Sequence, residues 1–212
     1  MTDVAFTSWY DEVLTDVPGV PQNVAFNAIR NAAIEFCDRS WVYRVMLAPI
    51  STVADIAEYA LSPGADLKPA KVIRAWHDDV EIFPQTTQEL SLRYAQWTSE
   101  EGTPQWFTQR KPESVILVPI PTAALTDGLD IELAIKPARS ATGILDEIYE
   151  KYLEEISYGA KFKLFTMKSK PWSDPAHAAA WKAAFDEAIG KAKIDAVKGH
   201  TRARQRVKAH FF

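Results

Sequence analysis

The residues of this chain that could do chemistry are few and scattered. Four histidines stand at His77, His177, His200 and His210, and a single cysteine at Cys37. None of the histidines pairs with another, or with Cys37, at a spacing that holds zinc. There is no glycine loop to cradle phosphate, no G-x-S-x-G elbow and no HExxH. Cys37 falls on the apolar stripe of a helical stretch, where a thiol serves as a small core side chain. Asp174 and His177 lie three apart at a helix start and read as a cap beside a surface histidine. His77-Asp78-Asp79 could offer a weak cation site but reads more simply as a hairpin turn. Carboxylates gather at Asp146, Glu147, Glu150, Glu154 and Glu155. A carboxylate pair does acid–base work when burial separates the two pKa values. These five lie opposite an apolar stripe, interleaved with Lys151, which is the pattern of a solvated helix face. In a ring-shaped assembly the same face could line a channel or a subunit interface, repelling DNA phosphates so that DNA slides. The expectation is a chain with no catalytic residue, no metal and no cofactor.

The densest pattern is at the end. Lys198, His200, Arg202, Arg204, Arg206, Lys208 and His210 occupy every second position, and Phe211 and Phe212 close the chain. In an extended strand alternate side chains point one way, so all seven would share a face; a helix would scatter them. This pattern reads as an arm expected to stay unpaired in the lone chain, the alternative being a merely solubilising tail. It would add as a strand to an acidic groove or follow a phosphate backbone, with the two phenylalanines filling a pocket on the partner. The charge is correspondingly lopsided. Five of the 24 Lys and Arg, and none of the 28 Asp and Glu, lie in the last 15 residues. The body is acidic and the tail basic, an asymmetry that points to a charged partner.

The elements that must position these groups follow from composition and punctuation. With 47% apolar and 25% charged residues, the 212-residue chain can bury a core and is not wholly disordered. No apolar run approaches the roughly 18 residues of a membrane span. The start, MTDVAFTSWYDEV, carries acids where a signal peptide carries basic residues, so the expected compartment is cytoplasmic. Nine of the 13 prolines fall between Pro49 and Pro137. Helices exclude interior proline, so the order is helix, then strands, then helix. A short helix is expected from Ala5 to Thr15 and a second from after Pro21 to Arg39, burying Ala25, Ile29, Ala32, Ala33, Phe36 and Cys37. Strands are expected at Trp41 to Leu47, Thr52 to Leu61, Lys71 to His77, Glu81 to Phe83, Gln105 to Gln109, Ser114 to Val118 and Leu129 to Lys136. Thr87 to Tyr94 reads as a helical turn. Two long helices follow, one carrying Ile148, Tyr152, Ile156, Ala160 and Leu164, the other running from Pro175 to Val197. The expected fold class is α+β: a helical bundle from residues 1–40 plus 140–197, an inserted antiparallel β-rich module at 41–139, and an extended arm at 198–212.

Parts of the chain resemble a known family. They are Val17-Pro18-Gly19-Val20-Pro21 with Ala28 to Cys37, Leu133 to Arg139, and Gly159-Ala160 through Lys170-Pro171-Trp172-Ser173-Asp174-Pro175 to Lys198-Gly199. Together they cover about half the chain and are similar to the tailed-bacteriophage head-to-tail adaptor (connector) proteins. The resemblance implies a non-enzymatic virion protein, assembled in the host cytoplasm with no membrane step. It implies a ring of identical subunits, usually twelve, under the portal protein, with C-terminal arms reaching into the portal. A tail tube or nozzle protein would lie on the far side, and DNA would pass through the centre without sequence-specific binding. Arg202, Arg204, Arg206 and Lys208 would then be docking charges, and Phe211 and Phe212 anchors. Other readings of the residues are a nucleic-acid-binding protein using the tail as a phosphate arm, an enzyme on the acidic helix, and a carbohydrate-binding row of Trp76, Trp97 and Trp106.

Overall fold

The computed structural model of the chain describes residues 3–198. The fold is mixed α/β. Among the described residues there are five α-helices: α1 (Tyr10–Leu14), α2 (Gln22–Ser40), α3 (Thr87–Arg93), α4 (Asp146–Phe165) and α5 (Pro175–Lys198). The chain forms two compact units, one from Met1–Val42 with Thr142–Phe212 and the other from Tyr43–Ala141.

The first unit holds α1, α2, α4 and α5. Pro21, extended at φ −62° and ψ 140°, launches α2, which ends where Trp41 turns left-handed at φ 57° and its N–H bonds back to Cys37 O. Between these stops Ala25, Ile29, Ala32, Ala33, Phe36 and Cys37 are fully buried. Ile148, Tyr152, Ile156, Ala160 and Leu164 form the matching stripe of α4. Phe36 sits 5.0 Å from Tyr152 and 6.2 Å from Phe185, ring centre to ring centre, so α2, α4 and α5 share one core. Gly159 makes that approach possible. A Cβ there would lie 2.7 Å from the Phe185 ring and 3.0 Å from Ala32 Cβ, inside van der Waals contact.

The expected first helix is divided. Asp3–Ala5 pairs antiparallel with Gly143–Leu145, a 3₁₀ turn covers Phe6–Trp9, and only Tyr10–Leu14 is α-helical. The pairing takes the first residues away from a helix and joins two segments far apart in sequence. Phe6, Trp9 and Val13 remain the buried face, and the Trp9 indole donates to Leu153 O at 3.1 Å.

The second unit is a curled sheet. Its two long strands, Leu67–His77 and Leu125–Pro137, run antiparallel with two register shifts. Leu129, Ile131, Leu133 and Ile135 are buried, as their alternation requires. Asp78 and Asp79, at φ 51° and 61°, form a two-residue turn between His77 and Val80. Both residues left-handed is the turn whose twist suits a hairpin. The sheet curls until Leu67–His77 lies near the other end, where the Val72 N–H donates to Gln109 Oε1 at 2.9 Å and Lys68 meets Glu113 at 3.0 Å.

Two expectations for this unit are corrected. The module is not purely antiparallel, because Val80–Pro84 pairs in parallel with Trp106–Thr108. Parallel neighbours need a crossover, and residues 85–105 supply one. It contains α3, secured by a capping box between Thr86 and Glu89. The stretch from Thr52 to Leu61 is also not one strand. Ile50–Thr52 pairs with Leu125–Pro137 and Glu58–Ala60 with Ser114–Val118. The chain reverses at Asp55 (φ 64°), and the Tyr59 hydroxyl bonds to Val53 and Ile56 to hold the turn.

Candidate interaction surfaces

The acidic face of α4 arises because its apolar stripe is spent on the core. Asp146, Glu147, Glu150 and Glu154 are exposed and Glu155 is half-buried. The Tyr158 hydroxyl donates to Glu154 at 3.2 Å. Burial, and then Glu154, hold the Tyr158 phenol above its usual range. These carboxylates do not form the buried pair that acid–base catalysis requires. Glu155 alone turns into the groove between α4 and α5, beside Glu187, Lys191 and Asp195.

Asp174 caps α5. Its Oδ1 accepts from the N–H groups of Ala176 and His177 at 2.9 and 3.1 Å, and its Oδ2 lies 2.7 Å from His177 Nδ1. Pro175 takes the first helical position, where a missing N–H costs nothing. The backbone and then the ring of His177 hold the Asp174 carboxyl below the usual range. A depressed carboxyl pKa adds stability above the unfolded value, and that stability is lost as pH falls through the folded one. Asp174→Ala should therefore lower the melting temperature at neutral pH. The deficit should close on acidification below the carboxylate range. An equal deficit at both pH values would contradict a charged cap.

Cys37 is buried, and desolvation followed by Asp38 pushes its pKa up to about 12, so the thiol is inert. His77 is buried while Asp78 and Asp79 are exposed on the turn, and burial lowers the His77 pKa. Among the described residues no group of three His, Cys, Asp or Glu is placed to share a metal ion. No helix there is long and apolar enough to cross a membrane. Trp76, Trp97 and Trp106 do not make an exposed row. Trp97 is buried among Leu90, Ile116 and Val118, Trp106 is half-buried beside Tyr94, and the Arg74 guanidinium lies 4.7 Å over the half-buried Trp76.

One group escaped sequence reasoning. Lys161 is only 2% exposed, with its ammonium 3.2 Å from Glu12, 2.7 Å from Asp16 and 4.8 Å over the Trp181 ring. The contact ties the α1 region to α4 and α5. A signal was available, since Lys161 follows Ala160 and lies four after Ser157 and three before Leu164, all on the buried side.

Of the expected docking arm, only Lys198 is described, as the last residue of α5. His200, Arg202, Arg204, Arg206, Lys208, His210, Phe211 and Phe212 lie outside the described residues. A family model, that of the SU10 adaptor protein, matches residues 3–208. The chain belongs to this phage head-to-tail adaptor family. The match spans both units and runs on through Arg202, Arg204, Arg206 and Lys208. No curated protein matches the chain by sequence. As a phage adaptor it is a structural component of the virion that works with other head or tail proteins.

Proposed function

We propose that this adaptor is a ring-forming, non-enzymatic joint between the portal and the tail, through which DNA leaves the head. Its C-terminal arm, Lys198 to Phe212, docks on the portal protein. Its other side receives the tail tube or nozzle. The observation that supports the reading is the family match over residues 3–208, a span that takes in the positions of Arg202, Arg204, Arg206 and Lys208. The physical argument agrees. A cationic segment with unsatisfied backbone groups gains hydrogen bonds and ion pairs by adding to a partner's edge, and its ordering entropy is offset only on docking. Repeated around a ring, individually weak arms give a tight collective attachment. The solvated carboxylates of α4 suit a conduit wall or a subunit interface, because like charge keeps phosphate from sticking.

The test is charge reversal of Arg202, Arg204 and Arg206 together to glutamate. Co-sedimentation with the portal should be lost while the folded spectrum is kept. Undiminished docking would overturn the role of the basic face. Steeply salt-dependent binding of the intact chain to duplex DNA, with no affinity for portal, would instead favour the phosphate-arm reading.

A further inference from the structure

The groove between α4 and α5 carries charge that the helices around it do not answer. The two helices run antiparallel: the Phe165 ring lies 5.5 Å from His177, Tyr158 lies 5.3 Å from Trp181, and Glu155 comes beside Lys191 and Asp195. Toward the end of α5 they leave a cavity of about 320 Å³. Its floor is apolar, made by Ala188, Ala192 and the buried Tyr152. Its walls set Glu155, Glu187 and Asp195 against the single ammonium of Lys191, which Glu187 already holds at 2.6 Å. Glu155 and Asp195 make no hydrogen bond or ion pair among the described residues.

A cationic segment is tethered at the end of this groove. The helix is described to Lys198, less than one turn beyond Asp195, and residues 199–212 follow. They hold Arg202, Arg204, Arg206 and Lys208 and no acid. Along α5 the groove runs from Asp195 back to Ala184, a length of ~17 Å at the rise of a helix. The segment from 199 to 212 spans up to ~46 Å when extended, so after a reversal at Gly199 it covers the groove with length to spare. In an extended chain every second residue recurs at ~6.6 Å. That keeps pace with the ~6 Å between side chains four apart on a helix, the spacing of positions 187, 191 and 195. Glu155 approaches Lys191 from the opposite wall. The C-terminal end of a helix also favours cations. The tether holds the arm at an effective concentration on the order of millimolar, so contacts that are individually weak become populated.

We propose that in the free protein the basic arm lies folded back in the α4–α5 groove of its own subunit, with its arginines and Lys208 against Glu155, Glu187 and Asp195. The contact goes beyond the portal reading; only its consequence rests on that reading. Helices offer side-chain charge but no open backbone edge, so the backbone groups of the arm stay unpaired in the groove. A partner that supplies both draws the arm out. Exposed ion pairs add little stability, so the arm can leave without changing the melting temperature.

A nitroxide on Val207→Cys of the full-length protein reads the contact, because Cys37 is buried and inert. In low salt it should broaden the amide signals of Ala184, Ala188 and Ala192 severalfold. Glu155→Gln, Glu187→Gln and Asp195→Asn together keep the shape of the groove and remove its charge, and should abolish the broadening. Molar salt should do the same, since it screens exposed charge. Broadening that is absent in low salt, or that survives loss of the three carboxylates, would overturn the proposal. So would broadening of an isotope-labelled chain by a nitroxide on a different chain, which would give the groove to a neighbour's arm. Co-sedimentation with portal keeps the two readings apart. The triple variant, its arm released, should bind portal more tightly than the wild type by the factor that the groove had withheld. Binding no tighter than wild type would overturn the restraint. Absence of portal binding by both proteins would count against the portal reading and leave the folded-back arm supported by the nitroxide.

Discussion

Removing residues 199–212 is expected to leave a folded protein that no longer completes particles. The last buried side chains of α5 are Ile189 and Ala192, and the helix is described to Lys198. Truncation after Lys198 keeps all of these buried side chains, and thermal unfolding is expected to match that of the intact chain. The loss falls on attachment. Four of the five tail Lys and Arg and both terminal phenylalanines go with the segment. In a ring the deletion removes every arm at once, so the avidity of many linked contacts disappears with them, a fall on the order of 10²–10⁴ or more in apparent portal affinity. Infection with a phage carrying the truncation should yield filled heads without tails. Normal particles from the truncated protein would show that attachment runs through another surface.

The second large effect is on stability. Lys161 is buried, whereas its partners Glu12 and Asp16 are 41% and 42% exposed. Removing both partner charges, with Glu12→Gln and Asp16→Asn, leaves an ammonium in the core without a counter-charge. Stranding one member of a buried pair costs about 3–5 kcal/mol. Because these carboxylates are partly in water the expected loss is nearer 2–3 kcal/mol. For a chain of this size that is a fall of roughly 5–10 °C in melting temperature. Lys161→Met should cost much less, since an apolar side chain of similar length fills the site and the carboxylates simply hydrate. Thermal unfolding of the two variants beside the wild type decides it. Equal losses, or a larger loss for Lys161→Met, would mean that the ammonium does not depend on Glu12 and Asp16.

Much of the fold could be read in advance where one physical signal dominates. The stripes of α2 and α4 and the alternation from Leu129 to Ile135 mark faces that must leave water, and the structure buries them. The Asp78-Asp79 turn and the Asp174-Pro175 start of α5 were legible because few residues suit those backbone positions. What escaped depends on contacts between distant residues. The parallel pairing of Phe83 with Trp106 has no local signature, since neither strand differs from an antiparallel one. The strand at Asp3–Ala5 exists only because Gly143–Leu145 lies beside it. Lys161 looked like a surface residue because lysine usually is one, and its partners lie about 145 residues away in sequence.

The adaptor family itself was legible in Val17–Pro21 with Ala28–Cys37, in Leu133–Arg139 and in the stretch from Gly159 to Gly199. The most direct test of the adaptor role is negative-stain imaging of the intact protein mixed with purified portal. The account predicts closed rings of this protein seated on the portal, absent when residues 199–212 are deleted. Bare portals alongside free adaptor, or rings that still seat without the arm, would contradict it.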